Sequence, residues 1–363
     1  MSGGVDSSVA AALLKKQGYD CIGIYMNFWS DPTTFDKNES KGFPENKCCS
    51  IETMNTARRI ANKLGIPFYV FNVRERFKKQ VVDYFIDSYK ICETPNPCVE
   101  CNRNIKFGFL FERMKQLGAD YIATGHYVNI KQKKAGGKVV YEMYMGKDKL
   151  KDQSYFLYTL TQDKLKHVLF PVGNYKKKDV RKMAEKFGIP EVSKTRESQG
   201  ICFFPDKNYS DFLKRYFSEN VIKEGPIVTV EGEKIGTHKG LQFFTVGQRK
   251  GIEIGGEKDP LYVVRLDYSK NTLIVGRNNQ TYQEKFEVNK LNFINEKLKN
   301  GKYKVYARIR YRFPPEKALL VKKGEKAEIT FNKPQRAITP GQSVVFYDRK
   351  KVIGGGIITK VNY

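Results

Sequence analysis

Residues Ser2-Gly3-Gly4-Val5-Asp6-Ser7-Ser8 run straight into an apolar-periodic stretch, 9–16, that stops at Gly18. No other feature constrains the fold as strongly, because a glycine loop feeding a helix N-terminus builds an anion site. The glycines let the backbone approach an anion closely. The amides of the following helix, aided by three serine hydroxyls, supply the donors. A loop of the GxxxxGK[ST] kind would need a lysine and wider spacing, and neither is present.

From residue 19 to about 205, short apolar runs alternate with helical periods. A strand is expected over 21–26, a helix with Ile51, Met54, Ala57, Ala61 and Leu64 on one face, and a strand over 68–71. Helices follow over about 75–91 and 102–117, then a strand over 121–124 before Gly125-His126. This is the alternation of a doubly wound parallel α/β sheet, a Rossmann-like domain whose ligands sit beyond the carboxyl ends of the strands. The loop, Met26, Gly125 and His126 fall at that edge. After about residue 206 the texture changes to short strands punctuated by glycine, over 227–230, 233–237, 243–246, 262–266 and 272–275. A last block of six or so strands reads as a small β-barrel. The expected domains are 1–205, a β-rich middle domain over 206–280, and a C-terminal barrel over 281–363.

Lys and Arg number 65 against 39 Asp and Glu, a net charge of +26. Such a field draws a polyanion, and nucleic acid is the expected partner. Arg308, Arg310 and Arg312 recur with period two and are expected to share one strand face, where guanidinium forks suit phosphates. Arg249 and Lys250, between glycines, are further backbone-contact candidates. No stretch approaches the roughly 18 consecutive apolar residues of a membrane span. No signal peptide is legible, so a cytoplasmic protein is expected.

Seven cysteines, an odd number in a large chain, argue for thiol chemistry or metal rather than a disulfide framework. Cys98 and Cys101 stand three apart just before an expected helix, whose N-terminus favours a thiolate at Cys101. Cys202 ends an approach read Glu197-Ser198-Gln199-Gly200-Ile201. Zinc, simple packing, and redox sulfur or cluster chemistry compete for this set, and only three histidines exist to complete a zinc site. Cys21 and Cys92 read as packing, and the Cys48-Cys49 pair as structural ahead of a helix that Ser50 caps. His167 and His238 are ordinary surface or core histidines.

The SGGxDSS spelling resembles the PP-loop of ATP pyrophosphatases, enzymes that adenylate a carbonyl oxygen. Together with Cys48-Cys49-Ser50, Asn96 to Phe107, Ala123-Thr-Gly-His-Tyr127, Lys151-Asp-Gln-Ser-Tyr-Phe-Leu157, Gly200-Ile-Cys202, Gly247-Gln-Arg-Lys-Gly251 and Pro340-Gly-Gln342, the chain resembles the tRNA-specific 2-thiouridylases along its whole length. The resemblance implies ATP with Mg²⁺, adenylation of the wobble uridine C2 oxygen in lysine, glutamate and glutamine tRNAs, and displacement of AMP by persulfide sulfur. By the same resemblance Cys202 bears the persulfide, and Cys101 helps release the sulfur and can pair with Cys202 in a disulfide. Ser2, Gly3, Gly4, Val5, Asp6, Ser7, Ser8, Met26 and Gly125 hold ATP. Asn96, Pro97 and Cys98 form the target-base loop, and His126, Lys151, Asp152, Gln153, Tyr311, Arg312 and Gln342 are other tRNA contacts. A persulfide donor or carrier protein is the implied partner, and the enzyme is expected to act as a monomer without a membrane.

Two departures from the family pattern stand out. Cys98 occupies the place of a family aspartate, a natural acid/base group, and a thiol with a pKa about four units higher is no simple replacement. With Cys101 and Cys202 it makes three thiols, the count of an iron-sulfur cluster, [4Fe-4S], with one open iron. The apolar strand that ordinarily precedes a PP-loop is also missing ahead of Ser2, as a late start or a truncated chain would leave it. The alternatives are an ATP-dependent amidotransferase or synthetase using the same loop, and a non-catalytic tRNA-binding protein.

Overall fold

The computed structural model describes residues 1–34, 50–194, 200–203, 209–252, 254, 259–295 and 298–361. Cys48, Cys49, Glu197, Ser198 and Gln199 lie outside the described residues. The chain divides into two compact units: residues 1–82, 97–207 and 350–353 form the first, and residues 83–96, 208–349 and 354–363 the second.

In the first unit the strands Gly23–Asn27 and Phe68–Asn72 pair in parallel, Gly23 opposite Phe68 through Asn27 opposite Asn72. Ile122–Ala123 and Val168–Leu169 form a second parallel pair. Parallel strands need a crossover, and the helix Ile51–Lys63 provides one. Ser50 caps it as expected, its hydroxyl accepting from the Thr53 amide at 3.1 Å. The buried face begins at Ala57 and includes Ile60 and Ala61. Ile51, expected on that face, is 65% exposed, because it sits in the first turn, ahead of the stretch that reaches the core.

The first helix spans Val5–Lys16, four residues longer than its apolar period, with Gly4 as N-cap. Val5, Val9 and Leu13 pack with Val180 and Ala184 of the helix Lys177–Lys186, and with Tyr127, in one core cluster. A hairpin, Val128–Ala135 with Lys138–Met145, went unread in the sequence. Its turn is Gly136-Gly137, both at positive φ (54° and 75°), the backbone that a tight two-residue hairpin turn demands.

The second unit includes the helix Asp83–Lys90, whose Phe85 and Tyr89 meet Phe212 and Tyr209 of the helix Tyr209–Tyr216 at ring distances of 6.0 and 4.9 Å. A four-stranded sheet follows, ordered Lys234–His238, Gly225–Thr229, Thr272–Gly276, Tyr262–Asp267. The strand expected over 243–246 is replaced by a single 3-10 turn, Leu241–Phe243. Gly240 at φ 137° and Gly247 at φ 86° bend the chain on both sides of it. Six strands then close a barrel, since Tyr282–Phe293 pairs with both Lys326–Arg336 and Lys351–Val361.

Candidate functional site

The loop ahead of the first helix is shaped for close approach. Gly3 takes φ 72°, and a Cβ there would lie 2.4 Å from the Thr53 carbonyl oxygen, so only glycine fits on both counts. Gly4 makes no side-chain cap, which leaves the first-turn amides to other partners. A Cβ on Gly125 would come within 2.6 Å of the Asp6 carbonyl carbon and 2.7 Å of the Ser7 nitrogen, so Gly125 lies directly against the loop. Met26 is the penultimate residue of the strand Gly23–Asn27, at its carboxyl end.

The serines divide their work differently from the expectation of three phosphate donors. Ser7 and Ser8 hydroxyls donate to the Gly4 carbonyl at 3.1 and 2.9 Å, and Ser8 is fully buried. Because the helix starts at Val5, Ser8 already points into the core, as does Val5 itself. These two residues therefore offer backbone, not side chains, to a ligand. Ser2 donates its amide to the Ser7 hydroxyl at 3.1 Å and remains exposed.

Asp6 is held by residues that the sequence did not single out for it. Lys177 donates to both carboxylate oxygens at 2.8 and 2.7 Å, and the Tyr127 hydroxyl donates to Oδ1 at 2.6 Å. The Lys177 side chain is 11% exposed and that of Asp6 33%. Lys177 and Tyr127 lie 171 and 121 residues from Asp6, so no local spacing signals the cluster. A buried lysine is the one retrospective signal, and it needs the fold to be seen.

His126 is buried between Phe107 and Phe170 and bonds the Thr124 hydroxyl through Nδ1 at 2.8 Å. Burial, with Lys106 adding repulsion, holds its imidazole well below the usual range, hence neutral. Asp152 is also buried, accepting from the Gly146 and Ser154 amides and the Ser154 hydroxyl. Gln153 accepts the Tyr127 amide at 3.0 Å, and Lys151 is half-buried beside them.

The thiol-bearing helix starts at Pro97, not Asn102. A turn Pro97–Glu100 leads into a wide i→i+5 winding over Cys101–Phe109. Cys98, and not Cys101, therefore lies in the first turn, which moves the positive end of the helix away from the residue expected to profit from it. Asn102 donates to the Cys98 carbonyl at 2.9 Å, while its buried Oδ1 has no hydrogen-bond partner among the described residues. Wide windings and orphaned acceptors gather at working sites. Cys98, Cys101 and Cys202 are half-buried thiols, none in a disulfide. Among the described residues no three His, Cys, Asp or Glu side chains are gathered to hold a metal. The three-thiol cluster expected from their count does not fit this arrangement. Cys21 and Cys92 separate themselves from the set, since burial pushes the Cys21 thiol up and the Cys92 thiol to about 12. Cys92 packs on the middle-domain core, as a small hydrophobe does.

In the second unit the expected arginine face is absent. The strand Gly301–Arg308 ends at its first arginine, and Arg308 is buried, closing the following turn by donating to the Phe313 carbonyl at 2.7 Å. Arg310 donates to the Ala337 carbonyl and the Thr339 hydroxyl at 2.6 and 2.9 Å and lies over the Phe313 ring. Arg312, Arg249 and Lys250 are exposed, with Tyr311 half-buried. Gln342 donates to the Thr94 and Pro95 carbonyls at 3.0 and 3.1 Å, fixing the stretch that leads into Asn96. A cavity of about 320 Å³ opens there, lined by Thr94, Gly247, Gln248, Arg310, Thr339 and Gln342.

Three family models match in series. That described as tRNA methyl transferase HUP domain covers residues 1–206, tRNA methyl transferase PRC-barrel domain 210–277, and Aminomethyltransferase beta-barrel domain 283–358. The chain is 47% identical over 361 residues to tRNA-specific 2-thiouridylase MnmA 1 of Caldanaerobacter subterraneus subsp. tengcongensis, covering 99% of this chain and 96% of that one. It is 46% identical to tRNA-specific 2-thiouridylase MnmA of Moorella thermoacetica (99% and 98%) and 44% identical to that of Clostridioides difficile (99% and 97%). Among the described residues no helix is long and apolar enough to cross a membrane.

Proposed function

Because the chain belongs to the tRNA-specific 2-thiouridylase family, we propose that it is the ATP-dependent enzyme that converts the wobble uridine of lysine, glutamate and glutamine tRNAs to 2-thiouridine. The observation that carries this reading is one compact unit bearing both a glycine-lined anion loop at a helix N-terminus and the thiols Cys98, Cys101 and Cys202 outside any disulfide. Such a loop and such thiols serve activation and sulfur transfer, whatever the methyl transferase wording of the domain descriptions.

The uridine C2 oxygen attacks the α-phosphorus of ATP, pyrophosphate leaves, and C2 becomes electrophilic. Gly3, Gly4 and the first-turn amides hold the phosphates, Gly125 backs the loop, and Met26 packs on adenine. The outer sulfur of a persulfide on Cys202 attacks C2 and AMP departs. The Cys101 thiolate then attacks Cys202 Sγ, so the Cys101–Cys202 disulfide forms as the thiocarbonyl is released, and an external thiol restores the pair. Asn96, Pro97 and Cys98 face the target base, and Lys151, Gln153, Tyr311, Arg312, Gln342, Arg249 and Lys250 serve the tRNA. No step is routed through a cluster. We read the enzyme as cytoplasmic and monomeric, with sulfur arriving from a persulfide donor or carrier protein.

The test combines unmodified tRNA, ATP, Mg²⁺ and a persulfide donor, with thiolated wobble uridine as the expected product. Cys101→Ser and Cys202→Ser should each abolish it while tRNA binding persists. Thiolation that survives both substitutions overturns the assignment.

A further inference from the structure

The phosphate loop contains no lysine, and the fold brings one to it. We infer that Lys177 is a positioning residue for ATP, which cancels the Asp6 charge so that the loop can accept a polyphosphate. This inference rests on the ATP-dependent reading above. Asp6 lies in the first turn of the helix Val5–Lys16, among the amides that would receive an anion. An uncompensated carboxylate there opposes the positive helix end and repels a triphosphate.

Lys177 answers this with an ammonium on both carboxylate oxygens, at 2.8 and 2.7 Å, and with its side chain almost fully buried. Its position is fixed from several sides. The Lys177 amide donates to Asp148 Oδ2 at 2.9 Å, and its ammonium lies 5.8 Å from the centre of the buried Tyr127 ring. Val180 and Ala184 of the same helix share a core with Val5 and Val9 of the loop's own helix. Tyr127, two residues after Gly125, holds Asp6 Oδ1 from the other side at 2.6 Å. A surface lysine would be mobile and hydrated. This one is built in, and the anion loop therefore carries no net charge from Asp6.

The experiment measures the Kd of ATP and of adenosine, without Mg²⁺, for the full chain and for Lys177→Met, Asp6→Asn and Asp6→Asn/Lys177→Met, with thermal unfolding alongside. Wild-type protein that binds adenosine and ATP alike refutes the ATP reading itself. Lys177→Met should weaken ATP by about tenfold or more and leave adenosine within about twofold, since adenosine carries no phosphate charge. The double variant, with neither charge, should recover most of the ATP affinity. Lys177→Arg, which keeps the charge, should stay close to wild type. Equal losses of ATP and adenosine in Lys177→Met would mean that the lysine only holds the fold. A double variant as weak for ATP as Lys177→Met would mean that the lysine acts on the phosphates and not through Asp6. Either result overturns the inference.

Discussion

Replacing Gly125 by alanine is a clean steric test of the nucleotide site. The Gly125 backbone is outside the left-handed region, so alanine suffers no torsional strain there, and the whole effect comes from one methyl group. That Cβ would lie 2.6 Å from the Asp6 carbonyl carbon, 2.7 Å from the Ser7 nitrogen and 2.8 Å from the Asp6 Cβ. Two of the three are main-chain atoms, which cannot swing aside. Ordinary contact begins near 3.4 Å, so the loop must retreat by about 0.8 Å, and its amides move with it. Overpacking of this kind costs roughly 1–3 kcal/mol. For a cooperative unit the size of the first one, which carries Gly125, that lowers Tm by about 2–4 °C per kcal/mol. A displacement approaching 1 Å at a positioning group costs about 10²-fold in rate. Steady-state thiolation against ATP concentration should therefore show kcat/KM for ATP down by about two orders of magnitude, with tRNA binding intact. Gly236→Ala is the control, because its Cβ meets nothing nearer than 3.6 Å. A Gly125→Ala enzyme with wild-type KM for ATP and unchanged Tm would refute the placement of Gly125 against the loop.

Two further outcomes are expected. The His126 imidazole is held below its usual range by burial, so the unfolded chain binds the extra proton first as pH drops. The stability it contributes is complete above about pH 6.5 and is lost as pH falls below that value; urea unfolding from pH 8 to 5 should show this decline, and His126→Asn should flatten it. tRNA affinity should fall linearly with log salt, and Arg312→Ala, removing one exposed guanidinium, should reduce the slope by about 0.7–0.9 while weakening all cognate tRNAs alike.

Sequence reached the architecture because its signals are local. Glycine loop, cap and apolar period lie within a few residues of one another at Gly3, Ser50 and the first helix, and the barrel strands announce themselves by alternation and turn glycines. It failed where partners are remote or where a turn intervenes. Period two put Arg308, Arg310 and Arg312 on one face, but that rule lasts only as long as the strand, which ends at Arg308. Pro97 reads as a loop residue, which puts Cys101 at the helix start, although proline is well suited to a first helical turn and the turn begins at Pro97. Lys177 looked like one of many lysines, and only packing distinguishes it. Residue identity alone points the serine hydroxyls at phosphate, whereas helical geometry turns those of Ser7 and Ser8 back onto the Gly4 carbonyl.

The division of the chain has a consequence for its biosynthesis. Residues 83–96 belong to the second unit, yet they emerge from the ribosome long before residues 208–349 that complete it. Until then the helix Asp83–Lys90 must wait with Phe85 and Tyr89 uncovered, because Phe212 and Tyr209 have not been made. Residues 350–353 return to the first unit almost at the end of translation. Both units therefore draw on segments from early and late in the chain. A gene cut near residue 206, at the edge of the first family model, would leave Phe85 and Tyr89 without the rings of Phe212 and Tyr209 that meet them in the full chain.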